Sequence, residues 1–353
     1  MTRVSIAVAS AILGLLGPAL AAAQLPTNRA QPAGSGVQAG ADAREPLIRA
    51  LCKHPLPAPA PRPTFRPRQN GPFPYEVKGI PGVVAAGERW KLIWVHNGNN
   101  ADGIVGQPDG SILAAQNDES DVVRITPDGQ TTVVYRDTNT GGALSMNKQG
   151  ELFIVERALI PSVWELAPER KMVADSYQGE PLECAGRGAL DSPAALHGGG
   201  VYFGWAGLYY AAPDGTVTKV FDHDVNDAVL SPDEKSLYFG SQGKLYAADV
   251  GSDGMLRSPR VLAEIPGGGN DGAAVDGAGR IYIVGYPGVR VFEPDGRYLG
   301  TIPAPRNLID VAFSGPDKRT LFAVAYVLDP GLHGLDEIYT LPMLAQGYLG
   351  RAK

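Results

Sequence analysis

The chain has 353 residues, 44% of them hydrophobic and 19% charged, with a formal net charge of −6. That balance excludes a disordered or charge-tract protein, and the acidic sign leaves no basic surface to neutralise a phosphate backbone, so nucleic acid is not an expected partner. Forty-five Gly and thirty Pro weigh against a helical fold, since each costs about 1 to 3 kcal/mol inside a helix, and two Cys are too few for a disulfide framework or a Cys-based zinc cage.

The first residues read MTRVSIAVASAILGLLGPALAAAQ. A single Arg3, an apolar run from Val4 to Leu20 and a close of small residues at Ala21, Ala22 and Ala23 form the pattern of a secretory signal peptide over residues 1–23. The rival reading is a membrane anchor, but Gly14, Gly17 and Pro18 interrupt the run. No other stretch approaches the roughly 20 apolar residues that span a bilayer. The mature chain is therefore expected to be periplasmic or secreted, with no membrane partner after cleavage. In that oxidising setting Cys52 and Cys184 can pair; two unpaired cysteines are the other reading, and both stay open. Residues 24–74 read as an extended arm, because Pro55, Pro57, Pro59, Pro61, Pro63, Pro67, Pro72 and Pro74 exclude a regular helix or a central strand.

Beyond the arm the chain repeats. ADGIVGQPDGSILAAQ from Ala101, TGGALSMNKQGELFIVE from Thr140, LDSPAALHGGGVYFGW from Leu190, VNDAVLSPDEKSLYFG from Val225, NDGAAVDGAGRIYIVG from Asn270 and LIDVAFSGPDKRTLFAVA from Leu308 share one grammar. A small polar residue precedes a short apolar strand, a Pro/Asp/Gly-type turn and a second strand rich in β-branched and aromatic residues. Further hairpins built on Pro127-Asp128-Gly129, Pro213-Asp214-Gly215 and Pro294-Asp295-Gly296 lie between these units. About four strands per unit, recurring every 35 to 50 residues or so, is the period of propeller blades. The expected fold is all-β: a six-bladed β-propeller over residues 75–353, with a β-sandwich or a seven-bladed ring as the runner-up. The strand from Trp90 to Val95 is placed to close the ring beside the strand from Gly334.

In such a ring the innermost strands start at one end of the axis, so residues at that phase of the repeat converge. The phase gives Asp102, Gly141, Asp191, Asn226, Asp271 and Asp310. Four Asp and one Asn supply hard oxygen donors and no soft ones, which suits Ca²⁺, or Mg²⁺ or Mn²⁺, better than zinc or copper. The structural alternative for each position is a turn former bonded to its own backbone. Asn100, and His223 shortly before Asn226, are candidates for the wall of a substrate pocket. A Gly-x-Ser-x-Gly elbow is absent from the sequence, which removes the serine-hydrolase reading.

The segments VNDAVLSPDEKSLYFG, NDGAAVDGAGRIYIVGYPGVRVFEPDGRYLGTI and DVAFSGPDKRTLFAV resemble successive blades of the senescence marker protein, gluconolactonase and luciferin-regenerating enzyme-like family. That resemblance implies a six-bladed propeller that hydrolyses lactones with one divalent cation, usually Ca²⁺, on its axis. By the family motif Asn226 is a metal ligand, and Asp271, before Gly272, is both ligand and catalytic base. Asp102 and Asp191 complete the expected metal set, although Asp102-Gly103-Ile104 stands where the family has Glu-Gly-Pro and Leu190-Asp191-Ser192 where many members have Pro-Asn-Asp. The partner implied is a small-molecule substrate, a lactone. Two other readings of the same site are a phosphotriesterase-like hydrolase and a non-catalytic binding propeller with a structural cation or none.

Overall fold

The computed structural model describes residues 52–53, 71–99, 101–157, 161–185, 191–204, 207–268, 271–328 and 334–352. The expected signal peptide and nearly all of the arm lie outside these residues, as does Asn100. Six four-stranded antiparallel sheets stand around one axis. Blade 1 comprises Ile104–Gly106, Ile112–Gln116, Asp121–Ile125 and Thr131–Tyr135. Blade 2 follows with Ala143–Met146, Leu152–Glu156, Ser162–Ala167 and Lys171–Ala174, and blade 3 with Asp191–Ala195, Val201–Gly204, Leu208–Ala211 and Val217–Phe221. Blade 4 is Asp227–Leu230, Ser236–Ser241, Lys244–Val250 and Leu256–Glu264; blade 5 is Ala273–Val275, Ile281–Ile283, Gly288–Phe292 and Tyr298–Pro303. The first strand of each blade touches the first strands of its two neighbours, and the circle closes from blade 6 to blade 1.

Blade 6 is where the ring shuts. Its strands Leu308–Ser314, Thr320–Leu328 and Gly334–Pro342 are completed by Lys91–Asn97 from the other end of the chain. The register runs from Leu335 opposite Asn97 to Thr340 opposite Lys91. The closing strand thus starts one residue later than Trp90, which is buried instead as an anchor: its indole Nε1 donates to Pro303 O (2.9 Å) and its backbone N–H donates to the Tyr75 hydroxyl (3.1 Å). Two chain ends sharing one sheet remove the edges that an open ring would present to a second molecule.

The local causes are those the repeat suggested. In the Pro-Asp-Gly turn of blade 3, Asp214 Oδ1 accepts from Thr216 N (2.9 Å) and Gly215 takes φ 85°, a conformation that costs glycine little and other residues more. Burial grades outward: Ile281–Ile283, second from the axis, is wholly buried, whereas Thr131–Tyr135 on the rim of blade 1 is exposed or half-buried along its length. Aromatic side chains fill the wedges between blades, as where Tyr282 of blade 5 meets Phe313 of blade 6 edge-on at 5.1 Å. A fully buried Phe of this kind contributes roughly 1.5 to 3 kcal/mol of transfer free energy.

Two further features tie the wheel. Cys184, on the short 3-10 turn Leu182–Ala185, is bonded to Cys52, with Cα atoms 5.4 Å apart. After Pro342 the chain crosses the end of the axis at which the inner strands finish. Gly347 bridges to Asp276 of blade 5, Lys318 of blade 6 donates to Tyr348 O (2.7 Å), and Gly106 of blade 1 donates to Ala352 O (3.3 Å).

Candidate active site

At the opposite end, where the inner strands begin, a cavity of about 180 Å³ lies on the axis. Asp102, Asn226, Asp271 and Asp310, from blades 1, 4, 5 and 6, all line it. The repeat therefore brings four of its six positions to one place. In blade 2 the lining residues are Gly142 and Ala143 rather than Gly141. Asp191 opens the inner strand of blade 3 opposite Gly204, and Pro193, two residues on, reaches the cavity.

The four are not equivalent. Asp310 is buried, and its carboxylate is engaged by main chain: Ile104 N and Val311 N each donate to it at 2.8 Å. That bonding pins the inner strand of blade 6 to that of blade 1, a structural task. Asn226 and Asp271 are exposed to the cavity. Asp102 is ion-paired with Arg157, whose side chain is 9% exposed and lines the same cavity.

Arg157 did not emerge from the sequence, yet a simple signal marks it. In an antiparallel hairpin the residue ending the second strand lies beside the residue starting the first. Here Ala143 faces Val155, so Arg157, just beyond the second strand, comes to the mouth of the axis next to Gly142. The same rule brings Ser241 and Gln242 to that end of blade 4. With Asp222, His223, Asp224, Gly240 and Asn226 they line a second cavity of about 420 Å³, which has Asn226 in common with the axial one. His223 therefore stands on the wall of the larger cavity, its ring edge-on to Phe221 at 5.5 Å.

The donor chemistry of the axis bears on a cation. Asp102, Asn226 and Asp271 offer oxygen only, as a hard divalent ion requires. Among the described residues no three His, Cys, Asp or Glu side chains are grouped as a metal centre. A guanidinium bonded to Asp102 shows that this carboxylate already holds positive charge at the hub. The residues fit a hard divalent cation in kind, with Arg157 standing at one of its donors.

Beside the site, Glu156 is buried with Arg170 Nη2 3.3 Å from it. Burial pushes its carboxyl up to about 7, partly opposed by the Arg170 charge. The native side chain thus keeps its proton to higher pH than the unfolded one, so its stabilisation is complete below the ordinary carboxylate range and is lost as pH rises towards and through 7. Glu156→Gln is expected to flatten the pH dependence of thermal unfolding between pH 5 and 8 by about 2 kcal/mol. Parallel wild-type and variant profiles over that window would contradict it.

Comparison with known proteins agrees with this architecture. The model of the SMP-30/Gluconolactonase/LRE-like region matches residues 188–326. The chain is 23% identical over 288 residues to a gluconolactonase of Zymomonas mobilis subsp. mobilis, covering 69% of this chain and 78% of that protein. Among solved structures, a gluconolactonase from Xanthomonas campestris superposes with a TM-score of 0.60 at 19% identity, covering 80% of this chain and 99% of that one. Regucalcin, a calcium-binding protein from Agrobacterium tumefaciens, superposes with a TM-score of 0.57 at 20% identity, covering 71% and 92%. The closed six-bladed ring is the fold of these solved structures, and the region of blades 3 to 6 is the part of the chain that resembles the SMP-30/gluconolactonase/LRE-like family.

Proposed function

We propose that the protein is a lactonase-type hydrolase whose reaction takes place in the axial cavity. The observation that carries this reading is that Asp102, Asn226 and Asp271, from blades 1, 4 and 5, line one cavity of about 180 Å³ in a propeller whose residues 188–326 match the gluconolactonase-like region. Asp102, Asn226 and Asp271 would hold a divalent cation, Ca²⁺ or else Mg²⁺ or Mn²⁺, which when bound polarises the lactone carbonyl as a Lewis acid. Asp191, at the start of the blade 3 inner strand, is proposed as a further ligand.

Asp271 is the base. It takes a proton from water as the water oxygen bonds to the carbonyl carbon, and returns that proton to the ring oxygen as the ring C–O bond breaks, leaving one hydroxy acid. Asp222, Asp224 and Gln242 on the larger cavity offer oxygens that accept hydrogen bonds from hydroxyl groups, so the body of the substrate is polyhydroxylated and neutral rather than anionic. His223 contributes to the same wall, and Asn100 is proposed to join it.

We also infer that residues 1–23 are a signal peptide and that the mature protein acts in the periplasm or outside the cell. The bonded sulfurs of Cys52 and Cys184 support an oxidising compartment.

The test is a hydrolysis panel of aldonolactones and organophosphate triesters, followed by acid release in a pH-stat with and without a chelator. Lactone turnover that the chelator removes and Ca²⁺ restores is expected. Organophosphate turnover alone would move the chain to the phosphotriesterase-like reading. Inactivity on the whole panel, with stability unchanged by the chelator, would leave a binding propeller.

A further inference from the structure

We propose that Arg157 is an exchangeable resident counter-ion of Asp102, so that a divalent cation reaches the axis only by displacing its guanidinium. The inference rests on the axial site of the proposed function and adds a residue that limits how tightly that site binds. Three features build a place for the guanidinium. Asp102 is its ion-pair partner. Asn117, with its amide oriented so that both ends are satisfied, donates to Thr140 O (2.8 Å) and accepts from Arg157 Nη1 (3.2 Å). Gly142 leaves the space the guanidinium fills, since a Cβ there would fall on the Arg157 Cζ and Nη1 atoms.

A guanidinium cannot shed its proton in the working pH range, so this competition is one of charge and mass action and not of pH. With Arg157 in place Asp102 is already neutralised. A cation entering beside Asn226 and Asp271 then meets one negative charge fewer than it would without Arg157. Because the Arg157 side chain is 9% exposed and Asp102 is 20% exposed, water screens this pair less than a surface pair, and the cost to the incoming ion is correspondingly larger.

The test is calorimetric titration of CaCl₂ into the chelator-treated full-length protein and its variants. Arg157→Gln is expected to lower the Ca²⁺ dissociation constant tenfold or more, and Arg157→Lys, which keeps the charge, to stay near wild type. Gly142→Ala reaches the same end by another route: its methyl group falls on the flexible guanidinium and displaces it, and tighter Ca²⁺ binding is expected there too. An unchanged or weaker dissociation constant in both Arg157→Gln and Gly142→Ala, with wild type still binding, overturns the exchange and leaves the lactonase reading intact. No Ca²⁺ binding by any of the proteins overturns the exchange and the cation of the proposed function together.

Discussion

Asp271→Asn is expected to lower lactone turnover by about 10²- to 10⁴-fold, the range that a positioned general base contributes. The substitution exchanges a carboxylate oxygen for an amide nitrogen of the same size, so it removes the proton acceptor together with the negative charge that acts on Arg290. Asp271 stands exposed on the cavity, before the inner strand of blade 5, and is not part of the packed hub. Its replacement removes a charge that supports the buried Arg290, so the unfolding free energy should fall by about 1 kcal/mol or less. The amide oxygen that the variant retains can still face a cation, so Ca²⁺ binding should weaken without disappearing. The loss should appear in kcat at saturating Ca²⁺ and substrate, with KM changed much less, because the proton is taken only in the transition state. Wild-type kcat in a folded, Ca²⁺-loaded variant would remove Asp271 from the chemistry and leave it as a ligand at most.

Much of this architecture is legible in the chain because it is written in local chemistry and repeated. Pro213-Asp214-Gly215 works as a turn through a carboxylate accepting from an amide two residues on and a glycine at positive φ, both visible from residue types alone. The apolar run ILAAQ and its counterparts announce strands buried on both faces, which only the inside of a layered or closed fold supplies. Closure by Lys91–Asn97 could be anticipated because a ring must end somewhere and one strand was left over.

The phase of the repeat picks out Asp102, Asn226, Asp271 and Asp310 but not the division of labour among them. Whether a carboxylate faces a cavity or caps the amides of Ile104 and Val311 depends on a neighbouring blade some 200 residues away in sequence. Arg157 was hidden for a related reason. A charged residue after a strand usually means only that the strand has ended, and its meaning here comes from Gly142 and from Asp102 in the neighbouring blade. Nothing local in AQGYLGRAK suggests that the final residues lie across the hub.

Those final residues make the second large expectation: Arg351→Ala should destabilise the propeller by about 2 to 4 kcal/mol, at the lower edge of what removing one partner of a buried ion pair costs. The Arg351 side chain is 2% exposed and donates to Leu230 O and Ser231 O of blade 4, while its Nη1 lies 3.4 Å from Glu234. Burial holds its pKa below the usual arginine value, with Glu234 opposing that shift. Truncation would therefore take the guanidinium donor from Leu230 O, while Ser231 O keeps Glu234 N (3.0 Å), and would open a cavity against the inner ends of blades 2 to 4, where Ser145, Ala195 and Leu230 line the space around Arg351. The Glu234 charge is not stranded, because Lys148 Nζ lies 3.6 Å away and His197 N donates to it (3.1 Å). Those partners keep the loss below the most severe buried-charge cases. For a domain of this size the melting temperature should fall by roughly 5 to 12 °C. Arg351→Met, which refills the space without the charge, should recover part of the loss, separating packing from hydrogen bonding. Because the tail lies at the far end of the axis from Asp271, kcat below the new melting temperature should be unaffected. A variant that melts like wild type would mean that the tail rests on the hub without holding it, and that the ring is closed by the shared sheet of blade 6 alone.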